Sequence, residues 1–227
     1  MSISEKLEIP FPPSAVSWRV GRKTKDGKKA TLLAYIDARD VMQRLDDALG
    51  FENWQCKYSL SDNGLLVCDI GLRINGEWLW RANGAGDTQV EAEKGKCSDA
   101  FKRAAVVWGV GRYLYGLDTP WVEIDQYGKW TADPKLPEWA TPKGFLDAAE
   151  AKRKAEHDAT FFRFHASVIA VKQAIDAEDG YTVRECWDEI PEDAKRALWI
   201  APTKGGCLTT AERDYIKNKM PAKEKAA

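Results

Sequence analysis

The sequence predicts an α+β fold: an antiparallel β-meander packed on a long helix, a β-β-β-α core, followed by a small all-helical domain. Three observations lead there. Runs of period-2 alternation, separated by turn residues, succeed one another between Trp54 and Trp80. Next comes one stripe at spacings of three and four: Cys97, Phe101, Ala104, Trp108, Gly111 and Tyr115. From Phe161 onward the pattern is helical, with Phe161, Phe164, His165, Val168, Val171 and Ile175 on one face.

The first ten or so residues, ending in "IPFPP", read as extended and frayed. "VSWRVGRKTKDGKKATLLAYI" reads as two strands joined by a basic loop at the Asp26-Gly27 turn. "DARDVMQRLDDALGFENW" has helical spacing, with Gly50 as its C-cap. In "WQCKYSLSDNGLLVCDIGLRI" the loop decides the register. A two-residue Asn63-Gly64 turn would put the two apolar stripes on opposite faces. A three-residue loop with Gly64 in the left-handed region pairs Leu60 with Leu66 and Tyr58 with Cys68, keeping the stripes together, and is preferred. The next hairpin, "NGEWLWRANGAG", leaves two registers open, one burying Trp78 and Trp80 and one turning them outward. A glycine-rich turn, "NGAGD", then leads into a helix from about Val90 to Tyr115.

The Pro-rich segment "DTPWVEIDQYGKWTADPKLPEWATPKG" reads as a tail on the first domain that becomes a linker, followed by the charged helix "FLDAAEAKRKAEHD". "IPEDAKRALW" and "LTTAERDYIKNKM" read as short helices, the second N-capped by Thr209 or Thr210. The expected boundaries are 1–130 for the first domain, 131–158 for linker and charged helix, 159–220 for the helical domain and 221–227 for a solvated tail.

The 227 residues are 44% apolar, enough to bury a core, and the formal net charge of −1 means that partners must be argued from local charge. Five cysteines without C-x-x-C spacing fit reduced thiols better than a disulfide framework. No apolar run approaches the ~20 residues of a membrane span, and no secretory h-region opens the chain. The expectation is a soluble cytoplasmic protein.

The 97–117 segment carries the chemistry. Beside its apolar stripe runs a second one, Ser98, Lys102, Ala105, Gly109 and Arg112, which is small and cationic. Such a face lets a phosphate chain approach the backbone. The bland alternative is a solvated face in which Asp99 pairs with Lys102 and Arg103 at i+3 and i+4. One carboxylate cannot neutralise both cations, and it leaves Arg112 untouched. Arg22, Lys23, Lys25, Lys28 and Lys29 crowd the hairpin loop, either as a nucleic-acid contact or for solubility. Arg39 and Lys96 complete the candidate set. Trp18, Tyr35, Trp54 and Tyr113 could stack on bases or fill the core. "EKGKCS" lacks the first glycine and the leading strand of a P-loop. His157 and His165 have no partner spaced for a metal or a triad. The residues suggest no catalytic group, metal or cofactor.

"AYIDARDVMQRLDDALGFENWQ" and "EKGKCSDAFKRAAVVWGVGRYLYGL", with its small-Asp-x-x-Lys-Arg core and aromatic-Gly-x-Gly step, resemble the Rad-fifty-two family of single-strand annealing proteins, which includes the Sak-like recombinases of bacteriophages. The resemblance spans about residues 14–120. It implies a β-β-β-α core that assembles into homo-oligomeric rings or helical arcs, phage or prophage encoded in a bacterial host. It implies ATP-independent annealing of single-stranded DNA in recombination or double-strand-break repair, with phosphates held at Lys102 and Arg103 and by the Arg22–Lys29 loop. Arg112 departs from the family's pattern, as phosphate contact or inter-subunit bond. Two other readings remain: a single-strand DNA-binding protein without annealing activity, and a metal-dependent nuclease built around Asp69 and Arg73. The helical domain is expected to recruit a partner, a host single-strand-binding protein or a phage exonuclease, through exposed aromatics such as Trp187 and Trp199.

Overall fold

A capping box opens the chain. The Ser2 hydroxyl accepts from the Glu5 N–H, the Glu5 carboxylate accepts from the Ser2 N–H, and the short helix α1 runs Ile3–Glu8. The expected frayed segment is therefore helical. What holds it lies far off in sequence: Leu7 is buried, and the Arg44 guanidinium donates to the carbonyls of Lys6, Leu7 and Ile9 while lying 4.3 Å from the Phe11 ring centroid. The computed structural model describes residues 1–62, 64–85 and 93–222, and these divide into two units, Met1–Leu146 and Asp147–Ala227.

In the first unit, β1 (Ser17–Lys23) and β2 (Lys29–Tyr35) form the expected hairpin. Thr24 and Asp26 close its turn: the Thr24 hydroxyl donates to Asp26 Oδ1, and the Asp26 carboxylate also takes the Lys28 N–H. These hydrogen bonds hold the Asp26 carboxyl below its usual range. A third strand, β6 (Trp121–Glu123), pairs antiparallel with β2 over Lys29–Thr31. It lies inside the segment read as tail and linker. Three residues between prolines and turns carry too little periodicity to reveal a strand whose partner is ninety residues away in the chain.

Helix α2 (Ala38–Leu49) starts at the N-cap Asp37 and ends, as expected, at Gly50, φ 88°. It leads into the second sheet, β3 (Trp54–Leu60), β4 (Leu66–Ile74) and β5 (Glu77–Ala85), a simple meander. The β3–β4 register is the preferred one, Tyr58 opposite Cys68 and Leu60 opposite Leu66, with Gly64 at φ 78°. Helix α3 (Glu93–Val107) packs on β4 and β5. Cys68, Ile70 and Leu72 are buried beneath it, whereas Tyr58 and Leu60 on the outer strand stay exposed. The following hairpin turns at Asn75-Gly76, both at positive φ, and pairs Arg73 with Trp78 and Gly71 with Trp80. Of the two open registers this is the outward one. Both indoles stand on the face opposite Ile70 and Leu72, and Trp80 lies flat over Gly71, where a Cβ would meet ring carbons at 3.0 Å. The Lys57 ammonium sits 4.4 Å from the Trp80 ring centroid.

Cys56 and Cys68 are diagonal neighbours across β3 and β4. A thiol hydrogen bond between them lowers the Cys56 pKa to about 7 and, together with burial, pushes Cys68 up. The exposed Cys56 is therefore thiolate above about pH 7, against about 8.5 for an ordinary thiol. Alkylation of Cys56 by iodoacetamide, followed by mass spectrometry, should rise through a midpoint near pH 7, while Cys68 stays unmodified in the folded protein. An ordinary thiol midpoint at Cys56 would contradict the hydrogen bond.

The helix expected over about 90–115 ends at Val107; its expected start, like residues 86 and 87 of "NGAGD", lies outside the described residues, while Asn83–Ala85 belong to β5. The end is a Schellman motif. Val110 N–H donates to Ala105 C=O at 3.1 Å and Gly109 N–H to Val106 C=O at 3.0 Å, with Gly109 at φ 104°. Gly111 is also left-handed, and a short 3-10 turn, Arg112–Gly116, follows. The two glycines are thus helix terminators and not interior residues. Trp108 anchors the turn, its indole N–H donating to Ile70 C=O at 3.1 Å. A Cβ at Gly109 would meet Glu8 Cγ at 2.8 Å. Gly109→Ala should lower stability by roughly 1–3 kcal/mol, read as a lower urea midpoint.

The described elements of the second unit are all helices, joined by short loops. Helix α4 (Pro142–Arg163) enters it, followed by α5 (His165–Asp176), α6 (Gly180–Asp188), α7 (Glu192–Leu198) and α8 (Thr210–Asn218), the last N-capped by Thr209. Helix α6 had no counterpart in the sequence reading. Its Val183 and Trp187 join Val168, Val171, Ile190, Leu198 and Leu208 in the core. Trp187, expected to be exposed, is only 6% accessible and packs against Trp199, which is partly exposed. His157 is buried and structural: its Nε2 accepts the Cys207 N–H at 3.1 Å, and its Nδ1 lies 3.0 Å from Asp158. The tail 223–227 lies outside the described residues. No helix among those described is long and apolar enough to cross a membrane.

Candidate nucleic-acid interface

Strand alternation sets the first wall. Thr31, Leu33 and Tyr35 of β2 share one face, and the register Arg19↔Leu33 adds Arg19 of β1 to it. Helix α3 supplies the second wall with Ser98, Lys102 and Arg103, and the 3-10 turn closes one side with Leu114 and Tyr115. Between the walls is an open cleft of about 560 Å³.

The cations in it differ in their surroundings. Lys102 Nζ lies 5.6 Å from the Tyr35 ring centroid, and among the described residues no carboxylate pairs with it. Arg103 Nε donates to Asp99 Oδ2 at 2.9 Å, so half of the anticipated intrahelical neutralisation is real and falls on Arg103 alone. Arg19 faces the cleft from β1. Asp99 and Asp118 are the acids on the lining among the described residues. Among the described residues, three cations against two carboxylates, one of them already paired, make a cleft suited to a polyanion.

The anticipated small-and-cationic stripe breaks up because the helix stops at Val107. Ser98 and Lys102 line the cleft, but Ala105 is buried in the core and Gly109 packs on Glu8. Arg112 turns back on the helix. Its Nε and Nη2 donate to the carbonyls of Val106 and Val107 at 3.1 and 2.9 Å, with Glu8 3.9 Å away. It caps the C-terminus of α3, where a cation also suits the helix dipole.

The other candidates scatter. Arg22 lines a second cavity next to the first. Lys23, Lys25, Lys28 and Lys29 are exposed around the hairpin turn. Arg39 is exposed at the start of α2, 3.8 Å from Asp37, and outside the cleft. Lys96 is half-buried on the first turn of α3. Of the four candidate stacking aromatics, Tyr35 alone lines the cleft. Trp18 is on the opposite face of β1, Trp54 donates its indole N–H to Asp46 at 2.6 Å, and the Tyr113 hydroxyl accepts the Phe11 N–H at 3.1 Å. Arg19 and Thr119 were missed. The alternation in "SWRVGRK" separates Arg19 from Trp18, but only the packing shows which face meets α3.

Asp69, the carboxylate of the nuclease alternative, pairs across β3–β4 with Lys57 on the face away from α3.

Residues 1–63 and 56–129 match the family model described as Rad52/22 family double-strand break repair protein. The chain is 38% identical over 142 residues to the single-stranded DNA-binding protein DdrA of Deinococcus deserti, covering 62% of this chain and 70% of that one. It is 34% identical over 142 residues to the DdrA of Deinococcus radiodurans, covering 62% and 68%. Both walls of the cleft fall inside the matched segments, and with this extent of similarity the chain belongs to the Rad52/22 family of double-strand break repair proteins.

Proposed function

We propose that the chain binds single-stranded DNA along the β2–α3 cleft and anneals complementary strands, without nucleotide hydrolysis, in recombination or double-strand-break repair, as a homo-oligomeric ring or arc. The observation that carries this reading is Lys102, without a carboxylate partner among the described residues, set against Tyr35 in an open cleft beside Arg19 and Arg103. Neutralised phosphates lower the repulsion between two strands, and bases left on the open side sample pairing with an incoming strand. The basic hairpin, Arg22 to Lys29, adds long-range attraction that falls with salt. The family membership and the description of the DdrA relatives as single-stranded DNA-binding proteins support the DNA-binding part of this reading. Binding without annealing is the second reading, favoured by that description.

An annealing assay with two complementary oligonucleotides and no nucleotide, run with a chelator and in parallel with magnesium in its place, separates the readings. Annealing above the spontaneous rate supports the first. Binding without acceleration leaves the second, and strand cleavage that the chelator stops would point to a nuclease. Mass measurement in solution tests the ring: a monomer of 25.5 kDa with full annealing activity would overturn it.

A further inference from the structure

A second cavity, of about 530 Å³, continues the cleft along β2. It shares Leu33 and Thr119 with the first and ends at Arg22 and Trp121. We propose that this is a second nucleotide subsite of the same DNA track, in which the Trp121 indole stacks on a base and Arg22 takes the adjoining phosphate. The proposal rests on the reading of the cleft as a single-strand binding site.

The geometry comes from three features. Trp121 is the register partner of Thr31, so its side chain stands on the cleft face of the sheet, although β6 is the edge strand. At 54% accessible, it is a large aromatic that the core does not claim. Opposite it, Gly21 leaves the floor low: a Cβ there would lie 2.7 Å from Thr31 Oγ1 and 3.1 Å from Leu33 Cγ. Finally, the β1–β2 register shifts between Val20 and Lys23, and the Arg22 N–H donates to the Thr31 hydroxyl at 2.9 Å. Such irregularities re-aim side chains at functional edges. Among the described residues no carboxylate pairs with Arg22, whose side chain is exposed.

A flat aromatic beside an exposed cation, continuous with a cationic cleft, is the pattern of single-strand recognition without sequence preference. A protein partner would gain little from a shallow trough with a cation at its end. Because Trp121 lies at the sheet edge, a base can rest on it and still face the open side.

The test compares wild type, Trp121→Ala, Trp121→Phe and Lys102→Ala on a ladder of oligothymidylates, with melting curves to confirm folding and mass measurement for assembly. On oligonucleotides long enough to span both cavities, Trp121→Ala should weaken binding about 5- to 150-fold. Trp121→Phe should keep most of the affinity, and on the shortest oligonucleotides that bind, Trp121→Ala should match wild type. Lys102→Ala should weaken binding at every length. If Trp121→Ala matches wild type at every length while Lys102→Ala is impaired, the subsite is overturned and the main cleft stands. If neither variant is impaired, the underlying reading fails with it. A Trp121→Ala protein of smaller assembled mass, with unchanged affinity per chain, would place the indole against a second copy and also overturn the subsite.

Discussion

Replacing Lys102 and Arg103 together with alanine is expected to remove most single-strand affinity while leaving the fold intact. Neither side chain is buried, and alanine is the better helix former, so α3 should not suffer. Each lost charge-assisted contact should cost about tenfold in affinity, the low end of the range because both cations are partly exposed. The salt dependence is the sharper readout. Each phosphate contact on a single strand contributes about 0.7 to the slope of log K against log salt, so the double variant should lose about 1.4. An unchanged slope would mean that the DNA lies elsewhere. The single variants should differ in kind. Lys102→Ala removes a cation without a carboxylate partner among the described residues, whereas Arg103→Ala also releases Asp99. Asp99→Asn should therefore tighten binding by freeing Arg103, and weaker binding by that variant would show that the pair positions Arg103 for DNA.

The largest stability effect is expected at Phe101. Its ring is 1% accessible, lies 6.1 Å from the Trp54 ring, and belongs to the core between α3 and the β3–β4–β5 sheet. Phe101→Ala should cost about 3–5 kcal/mol, the lost transfer free energy plus the cavity left behind. That is a large part of the 5–15 kcal/mol usual for a whole domain. Urea unfolding followed by tryptophan fluorescence should show a much lower midpoint, and DNA binding should fail with it because α3 loses its seat. Phe101→Leu, which keeps most of the apolar volume, should cost less. A shift below about 1 kcal/mol for the alanine variant would show that the ring does not bear on the sheet as described.

Features whose causes lie within a few residues were legible in the chain. Period-2 alternation, together with a glycine free to take positive φ, selected the Leu60↔Leu66 register, because the alternative would have sent the two apolar stripes to opposite faces. Gly50 marked a helix end through its backbone freedom, and the Thr209-Thr210 pair marked a helix start through its hydroxyls, Thr209 being the one that caps. Lys102 and Arg103 stood out because a single Asp99 cannot answer two cations.

Features decided by distant partners were not legible. The same glycines at 109 and 111 fit a helix interior by spacing, and became a helix end because Trp108 hydrogen-bonds to Ile70 while Glu8 and Ile36 leave no room for a Cβ. That end took Arg112 off the cationic stripe and made it a cap. The side to which Trp78 and Trp80 point, the helical state of residues 3–8, and the strand at Trp121 depend in the same way on β4, Arg44 and β2. Local propensity is worth tenths of a kcal/mol per residue, whereas burial of a large side chain or pairing of a buried backbone group is worth one to a few, so where the two compete the long-range contact wins.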